Sequence, residues 1–299
     1  MLDYKLLQAL ACVVEEQGFD RAAGKLFISQ SAVSQRIKLL EDQMGRVLIT
    51  RTVPPKPTSE GKRLLKHFMQ VKMLEHDLEA ETGWNSRAGV RVFSVGINAD
   101  SLATWFLPAV QPFLESHDFV LDIRVDDQDE THKMLRNGEV SACISSRSSP
   151  VQGCRSVYIG AMIYIAVATE EFILRYFGQG LTETGIKKAP AVVFNKKDEL
   201  HDIFLRRVFG RSFPEIPVHY VPSSQCFVNM IKGGAGYGLV PEIQAAEHIC
   251  TGRLREIVPD VRIKVELYWH QWNLKSQFLD SFSQILLKNA PGFMEITRL

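Results

Sequence analysis

Residues 19–52 read FDRAAGKLFISQSAVSQRIKLLEDQMGRVLITRT, and this stretch decides how the start of the chain folds. Asp20 can cap a short helix, RAAGKLF, whose Ala22, Ala23 and Leu26 are small and apolar. Ile28-Ser29-Gln30 then makes a turn, with Ser31 as the N-cap of a second helix, AVSQRIKLLEDQMG. That helix buries Val33, Ile37 and Leu40, and Gly45 ends it. A supporting helix with small residues, an apolar turn position and apolar anchors in the next helix make a helix-turn-helix arrangement. The exposed residues of the second helix are Ser31, Ser34, Gln35, Arg36 and Lys38. They can donate to phosphates and read base edges, with Arg and Gln able to bind G and A bidentately. The same spacing also describes a generic three-helix core with a solvated polar face.

The flanks weigh against that plainer alternative. Upstream, residues 4–17 set Leu6, Leu7, Leu10, Val13 and Val14 on one helical face, and Gly18 stops that helix. Downstream, Val47-Leu48-Ile49 reads as a short strand. The three prolines of RTVPPKPT (51–58) exclude helix, leaving a stiff loop that carries Arg51 and Lys56. A basic loop after a short strand fits a wing contacting the minor groove or the DNA backbone. Thr58/Ser59-Glu60-Gly61 opens a helix reaching about Thr82, with Leu64, Phe68, Val71, Leu74 or Glu75, and Leu78 spaced by three or four. Such a stripe on an otherwise polar helix wants a partner helix. Trp84–Gly89 is the best linker in the sequence.

From Val90 the texture changes to strands alternating with helices: VRVFSVGIN, DSLATWFLPAVQPFLESH, FVLDIRVDD, DETHKMLRNG and VSACISS. Later come AVVFN, DELHDIFLRRVFG, VHYVPSS, SQCFVNMIKGG and YGLVP. The alternation argues for βαβ units and a parallel-rich α/β sheet. About 200 residues suits two small lobes with crossings near Ala161–Thr169 and Val265–Trp269. Tyr268, Trp269 and Trp272 look like core at such a crossing.

Composition bounds the function. Hydrophobic residues make up 45% of the 299 and charged residues 23%, which excludes collagen-like and disordered classes. The longest apolar run, Ala161–Thr169, is half of what a spanning helix needs. The N-terminal stretch carries Glu15 and Glu16 and no small-residue cleavage site, which speaks against a signal peptide. Five cysteines without a CxxC pair suit a reducing cytoplasm. The net charge of +1 conceals an asymmetry. Residues 1–66 hold eleven cations and seven anions, +4, and the remainder sums to −3. The glycines at 233, 234, 236 and 238 fit neither GxGxxG nor GK[ST] and read as a turn between helix and strand. No GxSxG elbow supplies a hydrolase nucleophile, and no HExxH or paired Cys/His set appears. His132, His201, His219 and His270 read as surface or satisfied core residues. No cofactor is expected.

The motif AA-x-x-L, the SQSAVS turn and helix start, I-x-x-LE and the terminal G-x-x-L resemble the winged helix-turn-helix of LysR-type transcriptional regulators. The resemblance covers essentially the whole chain. SQSAVSQRIKLLE, RTVPPKPT, NADSLATWFLPA and LYWHQW are similar to the branch that senses arginine and lysine. It implies a winged helix-turn-helix (residues 1–58), a linker or dimerisation helix with hinge (59–89) and a two-lobed, periplasmic-binding-protein-like α/β effector domain (90–299). Lobe I would span about 90–162 and 267–299, lobe II about 163–266. It also implies a homodimer, often assembled to a tetramer, that binds promoter DNA. An effector between the lobes, L-arginine or L-lysine, would alter DNA bending or contact with RNA polymerase. By matching position, Gln30, Ser31, Ser34, Gln35, Arg36 and Lys38 are the DNA-reading candidates. Asp100 and Ser101 match where relatives hold the ligand's polar head, with Ser145, Ser146, Phe194 and Asn195 on the facing walls.

The acid supply favours a cationic ligand. Asp100 opens a helix, where backbone N–H groups also suit an anion such as an α-carboxylate. Asp126, Asp127, Asp129 and Glu130 cluster at a strand end, on the edge where open α/β sheets place ligands. A run such as DDQDE is more often a solvated, helix-capping charge run, and Asp100 is equally a plain N-cap. The expectation is a cytoplasmic regulator, not an enzyme and not at a membrane. The alternatives are another metabolite effector, or a solute-binding or enzymatic α/β module.

Overall fold

The computed structural model describes residues 2–83, 90–126, 128–213 and 215–294, with only the backbone at 128 and 129. The expected linker at 84–89 therefore lies outside the described residues.

The head begins with α1 (Tyr4–Glu15), which buries Leu6, Leu7, Leu10 and Val13, and α2 (Phe19–Leu26) follows. The N-cap of α2 is Gly18, and Asp20 sits instead within its first turn, where a carboxylate complements the helix dipole. α3 (Gln30–Met44) buries Val33, Ile37 and Leu40. Its cap is Ser29 rather than Ser31, because Ser29 has the extended backbone a cap requires and accepts the Ala32 amide at 3.2 Å. Gly45, at φ +63°, ends α3 in the left-handed region.

The wing is β1 (Ile49–Thr50) paired antiparallel with β2 (Lys56–Pro57). It starts two residues later than expected, since Glu41 Oε1 accepts the Leu48 amide at 2.8 Å and ties residue 48 to α3. α4 (Ser59–Thr82) is capped by Thr58. A Cβ on Gly61 would stand 2.0 Å from the Leu48 carbonyl oxygen, so glycine alone lets α4 cross this close to the wing. The expected stripe on α4 divides. Leu64 and Phe68 pack on the head, while Leu74 and Leu78 stay 39% and 52% exposed; Met69 and Met73, outside that stripe, join the core of the following domain. Asp77, buried, pairs with Arg91 at 2.8 Å and fastens the far end of α4 to that domain.

The second domain runs β3 (Val92–Ile97), α5 (Ala99–Thr104), α6 (Phe106–Ser116), β4 (Val120–Val125), α7 (Gln128–Asn137), β5 (Ala142–Ser145) and β6 (Cys154–Ala168). Then follow α8 (Glu170–Phe177), α9 (Glu183–Lys188), β7 (Ala191–Val193), α10 (Leu200–Phe209), β8 (Val218–Tyr220) and α11 (Ser224–Lys232). β9 (Tyr237–Pro241), α12 (Glu242–Cys250), β10 (Arg255–Glu256), β11 (Ile263–Trp272) and α13 (Gln277–Met294) complete it. The one helix expected over 100–117 is two, divided at the fully buried Trp105; Pro108, which has no N–H to offer residue 104, sits just beyond the break.

Strand order is β4-β3-β5-β11-β6-β9-β7-β8, with β10 on β6. β3, β4 and β5 are parallel neighbours in one lobe, and β7, β8 and β9 in the other. The long antiparallel pair β6/β11 joins them, as the expected crossings require. Trp269 and Trp272 are buried in that crossing, while Tyr268 is only half-buried. α13, whose apolar residues at 278, 282, 286 and 290 recur every four but which the sequence reading left unassigned, lays Phe278 and Phe282 against Phe93 and Phe113 with ring centroids 4.8–5.3 Å apart. Gly233, Gly234 and Gly236 form the turn from α11 into β9, and Gly238 lies within the strand.

Candidate nucleic-acid interface and effector cleft

On α3 the buried stripe leaves Gln30, Ser31, Gln35 and Lys38 exposed and Ser34 half-buried. At about 100° per residue Ser31, Gln35 and Lys38 share the outer face with Ser34 at its edge, while Gln30 and Arg36 fall on the two flanks of the buried stripe, Gln30 exposed in the first turn and Arg36 half-buried. Arg51 and Lys56 are exposed at the two ends of the wing loop. Among the described residues no internal hydrogen bond or ion pair engages the side chains of Gln35, Lys38 or Arg51. Thr52 Oγ1 donates to the Pro54 carbonyl at 2.8 Å, which shapes the loop between the two cations.

A cleft of about 610 Å³ lies between the lobes. The residues just past β3, β4, β5 and β7 line it: three parallel strands of one lobe and, from the other lobe, a strand running in the opposite direction all end at one space. One wall carries Asn98, Asp100, Asp126, Glu130 and Ser146; the other carries Phe194, Asn195, Lys197 and Asp198. Tyr164 and Val265, from the crossing strands, are also part of the lining.

Asp100 accepts a hydrogen bond from the Tyr164 hydroxyl at 2.8 Å, with Ser224 as a second partner. Burial raises its pKa, the two hydrogen bonds oppose that, and the Asp198 charge adds to it. Burial likewise raises Asp198, which accepts the Phe194 and Leu200 amides at 3.2 and 3.0 Å. Burial, and then Asp100, hold the Tyr164 phenol well above its ordinary range, so it remains a donor. Asn98 is 7% exposed and its Oδ1 has no hydrogen-bond partner among the described residues. A buried acceptor left bare on a cleft wall is a place for a ligand donor. At the mouth, Lys197 of one wall reaches Glu130 of the other at 3.1 Å, and Lys133 reaches it at 2.6 Å. Hydrogen bonds from both ammonium groups lower the Glu130 pKa. The lining totals five carboxyl groups, counting Glu199, against two ammonium groups, and so suits a cation.

Of the residues expected in this site, Asp100, Asp126, Ser146, Phe194 and Asn195 meet at the cleft. Ser101 does not. It is fully buried, with its hydroxyl on the Met162 sulfur at 3.6 Å. Ser145 is also fully buried, and its Oγ accepts the Arg147 amide at 3.2 Å. Asp127 lies outside the described residues. Asn98, Tyr164, Asp198 and Lys197 escaped the sequence reading. His201 is neither surface nor satisfied: it is buried and neither ring nitrogen has a partner among the described residues. His270 is buried too, with Nε2 2.7 Å from the Arg147 carbonyl oxygen. No described helix is long and apolar enough to cross a membrane.

The sequence model described as "Bacterial regulatory helix-turn-helix protein, lysR family" matches residues 4–62, and "LysR substrate binding domain" matches residues 87–291. The chain belongs to the LysR family. Its members are DNA-binding transcriptional regulators and not enzymes, which sets aside the reading as a free-standing solute-binding or catalytic module. The HTH-type transcriptional regulator ArgP of Pseudomonas fluorescens is 43% identical over 290 residues, 96% of each chain. The crystal structure of ArgP from Mycobacterium tuberculosis superposes with a TM-score of 0.87 at 37% identity, covering 99% of both chains. Full-length LysG from Corynebacterium glutamicum with bound effector Arg gives a TM-score of 0.76 at 31% identity, covering 99% of this chain and 100% of that one.

Proposed function

We propose that this regulator takes a basic amino acid, L-arginine or L-lysine, in the interlobe cleft and reads promoter DNA as a homodimer. The observation that carries the effector is the cleft wall itself. Asp100 and Asp198 are carboxylates whose burial makes an incoming cation the natural counter-charge, and the bare Asn98 oxygen awaits a donor. Ser146 lines the same space for the ligand's α-carboxylate, beside Lys133 and Lys197, whose ammonium groups pair with Glu130. LysG, a relative of the same architecture, holds arginine.

On DNA, Gln30, Ser31, Ser34, Gln35 and Lys38 form the face that enters the major groove, with Arg36 on its flank as a phosphate contact. Arg51 and Lys56 hold the wing to the backbone or minor groove. Leu74 and Leu78 of α4, with half-buried Val71, are the stripe left for a second copy of the helix. The chain divides as 1–58, 59–89 and 90–299, works in the cytoplasm, and pairs into tetramers that contact RNA polymerase in the manner of the family.

Calorimetry of the full chain against the twenty amino acids tests the effector. L-Arginine or L-lysine binds, and glutamate does not. Binding of a neutral or acidic amino acid with neither basic one would overturn the assignment.

A further inference from the structure

Phe27, between α2 and α3, breaks two rules at once. Its backbone is left-handed, with φ +54° and ψ +41°, a region that Gly and Asn occupy readily and an aromatic residue rarely. Its ring is 95% exposed, against half-buried neighbours Leu26 and Ile28, which both pack on the head core. Phe27 belongs to no apolar cluster and stacks on no other ring among the described residues. Neither the turn nor the core therefore requires phenylalanine at this position. Residues that violate local preference without serving the fold are where function is expected.

The place of the violation says which function. Phe27 stands two residues before Ser29, the cap of α3, at the end of the helix whose first turn holds Gln30 and Ser31. In its N-terminal half the exposed surface of α3 is otherwise polar, with Leu39 exposed only further along: Gln30, Ser31, Ser34, Gln35 and Lys38 can hydrogen-bond base edges and phosphates but offer little to an apolar group. The apolar features of a major groove are the thymine C5-methyl groups and the sugar edges, and phenylalanine is among the side chains that contact the methyl. We propose that Phe27 is an apolar DNA contact, seated on a thymine methyl or the deoxyribose beside it at the edge of the groove that α3 enters. The inference rests on the reading of α3 as the groove-entering helix.

Phe27→Asn separates contact from fold, because asparagine accepts the left-handed backbone more easily than phenylalanine. The variant should melt at the wild-type temperature or above it. The probe is a duplex selected from random-sequence DNA by the full-length wild-type protein, with binding followed by fluorescence anisotropy over a salt series. Phe27→Asn should lose on the order of 3- to 10-fold in affinity at every salt concentration. The slope of log K against log salt should not change, since an apolar contact releases no counterions. Replacing thymines by uracil one at a time distinguishes the two sources. A methyl contact appears as one position where uracil weakens wild type and leaves Phe27→Asn unaffected; a sugar contact leaves the loss in place with no such position. Wild-type affinity in Phe27→Asn, a flatter salt slope, or assembly into fewer copies by sedimentation would each overturn the proposal. Gln35→Ala, run alongside, tells the two readings apart. If it also binds as wild type, the reading of α3 fails and takes the proposal with it; if it weakens while Phe27→Asn does not, only Phe27 is misassigned.

Discussion

His201 offers a stability test whose size follows from its surroundings. It sits in the first turn of α10, its ring centroid 5.3 Å from that of Tyr237, with Nδ1 and Nε2 both unpartnered among the described residues. Burial drives its pKa down to about 4. In the unfolded chain the same imidazole titrates near about 6.5. Below that value the unfolded chain takes up a proton that the folded chain refuses, so stability is complete above pH ~6.5 and falls as pH drops toward ~4. Linkage puts the loss at roughly 2 kcal/mol by pH ~5 and roughly 3 kcal/mol once pH reaches ~4. His201→Leu, which is close in volume, removes the titration and two buried unpartnered nitrogens together. It should be at least as stable as wild type at neutral pH. The assay is urea unfolding of both proteins at pH ~7.5 and ~5, with the change in midpoint compared between them. His270, also lowered to about 4, and the raised Asp100 and Asp198, which act in the opposite sense, are common to both proteins and cancel in the comparison. If His201→Leu loses as much stability as wild type between the two pH values, the ring is not held neutral by its burial and the reasoning fails.

Asn98→Ala should weaken L-arginine by about 1 kcal/mol or more in calorimetry, because the bare Oδ1 is then no longer available to a ligand donor; an unchanged affinity removes Asn98 from the site. Arginine affinity should decline as pH falls toward the raised pKa values of Asp100 and Asp198, with proton release on binding seen as a buffer-dependent heat; flat behaviour would mean that neither carboxylate meets the cation. Gly61→Ala should lower the melting temperature by an overpacking cost of about 1–3 kcal/mol, since its Cβ would stand 2.0 Å from the Leu48 carbonyl oxygen; Gly24→Ala, with nothing within 4 Å, should be neutral or stabilising. If α4 forms the proposed dimer, Leu74→Asp with Leu78→Asp should yield monomers in sedimentation where wild type sediments as a dimer, and a dimer in both would place the interface elsewhere.

The head was legible because its signals are local. Apolar spacing placed α1 and α3, Gly45 closed α3, and the prolines of 51–58 marked the wing. The misses there are of one kind. Ser29 and Ser31 are chemically equivalent caps, and only the extended backbone at Ser29 chooses between them. The strand expected at Val47 yields to β1 at Ile49 because Glu41, on another element, takes the Leu48 amide. In the second domain, alternation located the parallel strands and both crossings. It could not see that Trp105 divides the helix over 100–117, since both halves keep an apolar face toward the same core.

The cleft was legible as a set of loops and not as a set of side chains. The strand-end rule led to the acids after β4, the family resemblance led to the residues after β3, β5 and β7, and the cleft is there. Within those loops a shift of one residue reverses the meaning of a side chain. Asp100 reaches Tyr164 while Ser101 turns into the core, and Ser146 lines the cleft while Ser145 is shut away. Local pattern offers nothing to decide such parity, because each orientation is fixed by a partner far along the chain. Tyr164 is 64 residues from Asp100 and sits inside an apolar run that reads only as core. Lys197 is 67 residues from Glu130, and each alone is an ordinary surface charge. What makes Tyr164 a donor in the site is the passage of β6 from β11 to β9 at that residue, which carries its hydroxyl beneath α5 just where the lobes meet. The crossing that the sequence suggested as a connection is therefore also what brings Tyr164 to the lining of the interlobe cleft, and a substitution at Tyr164 acts on both.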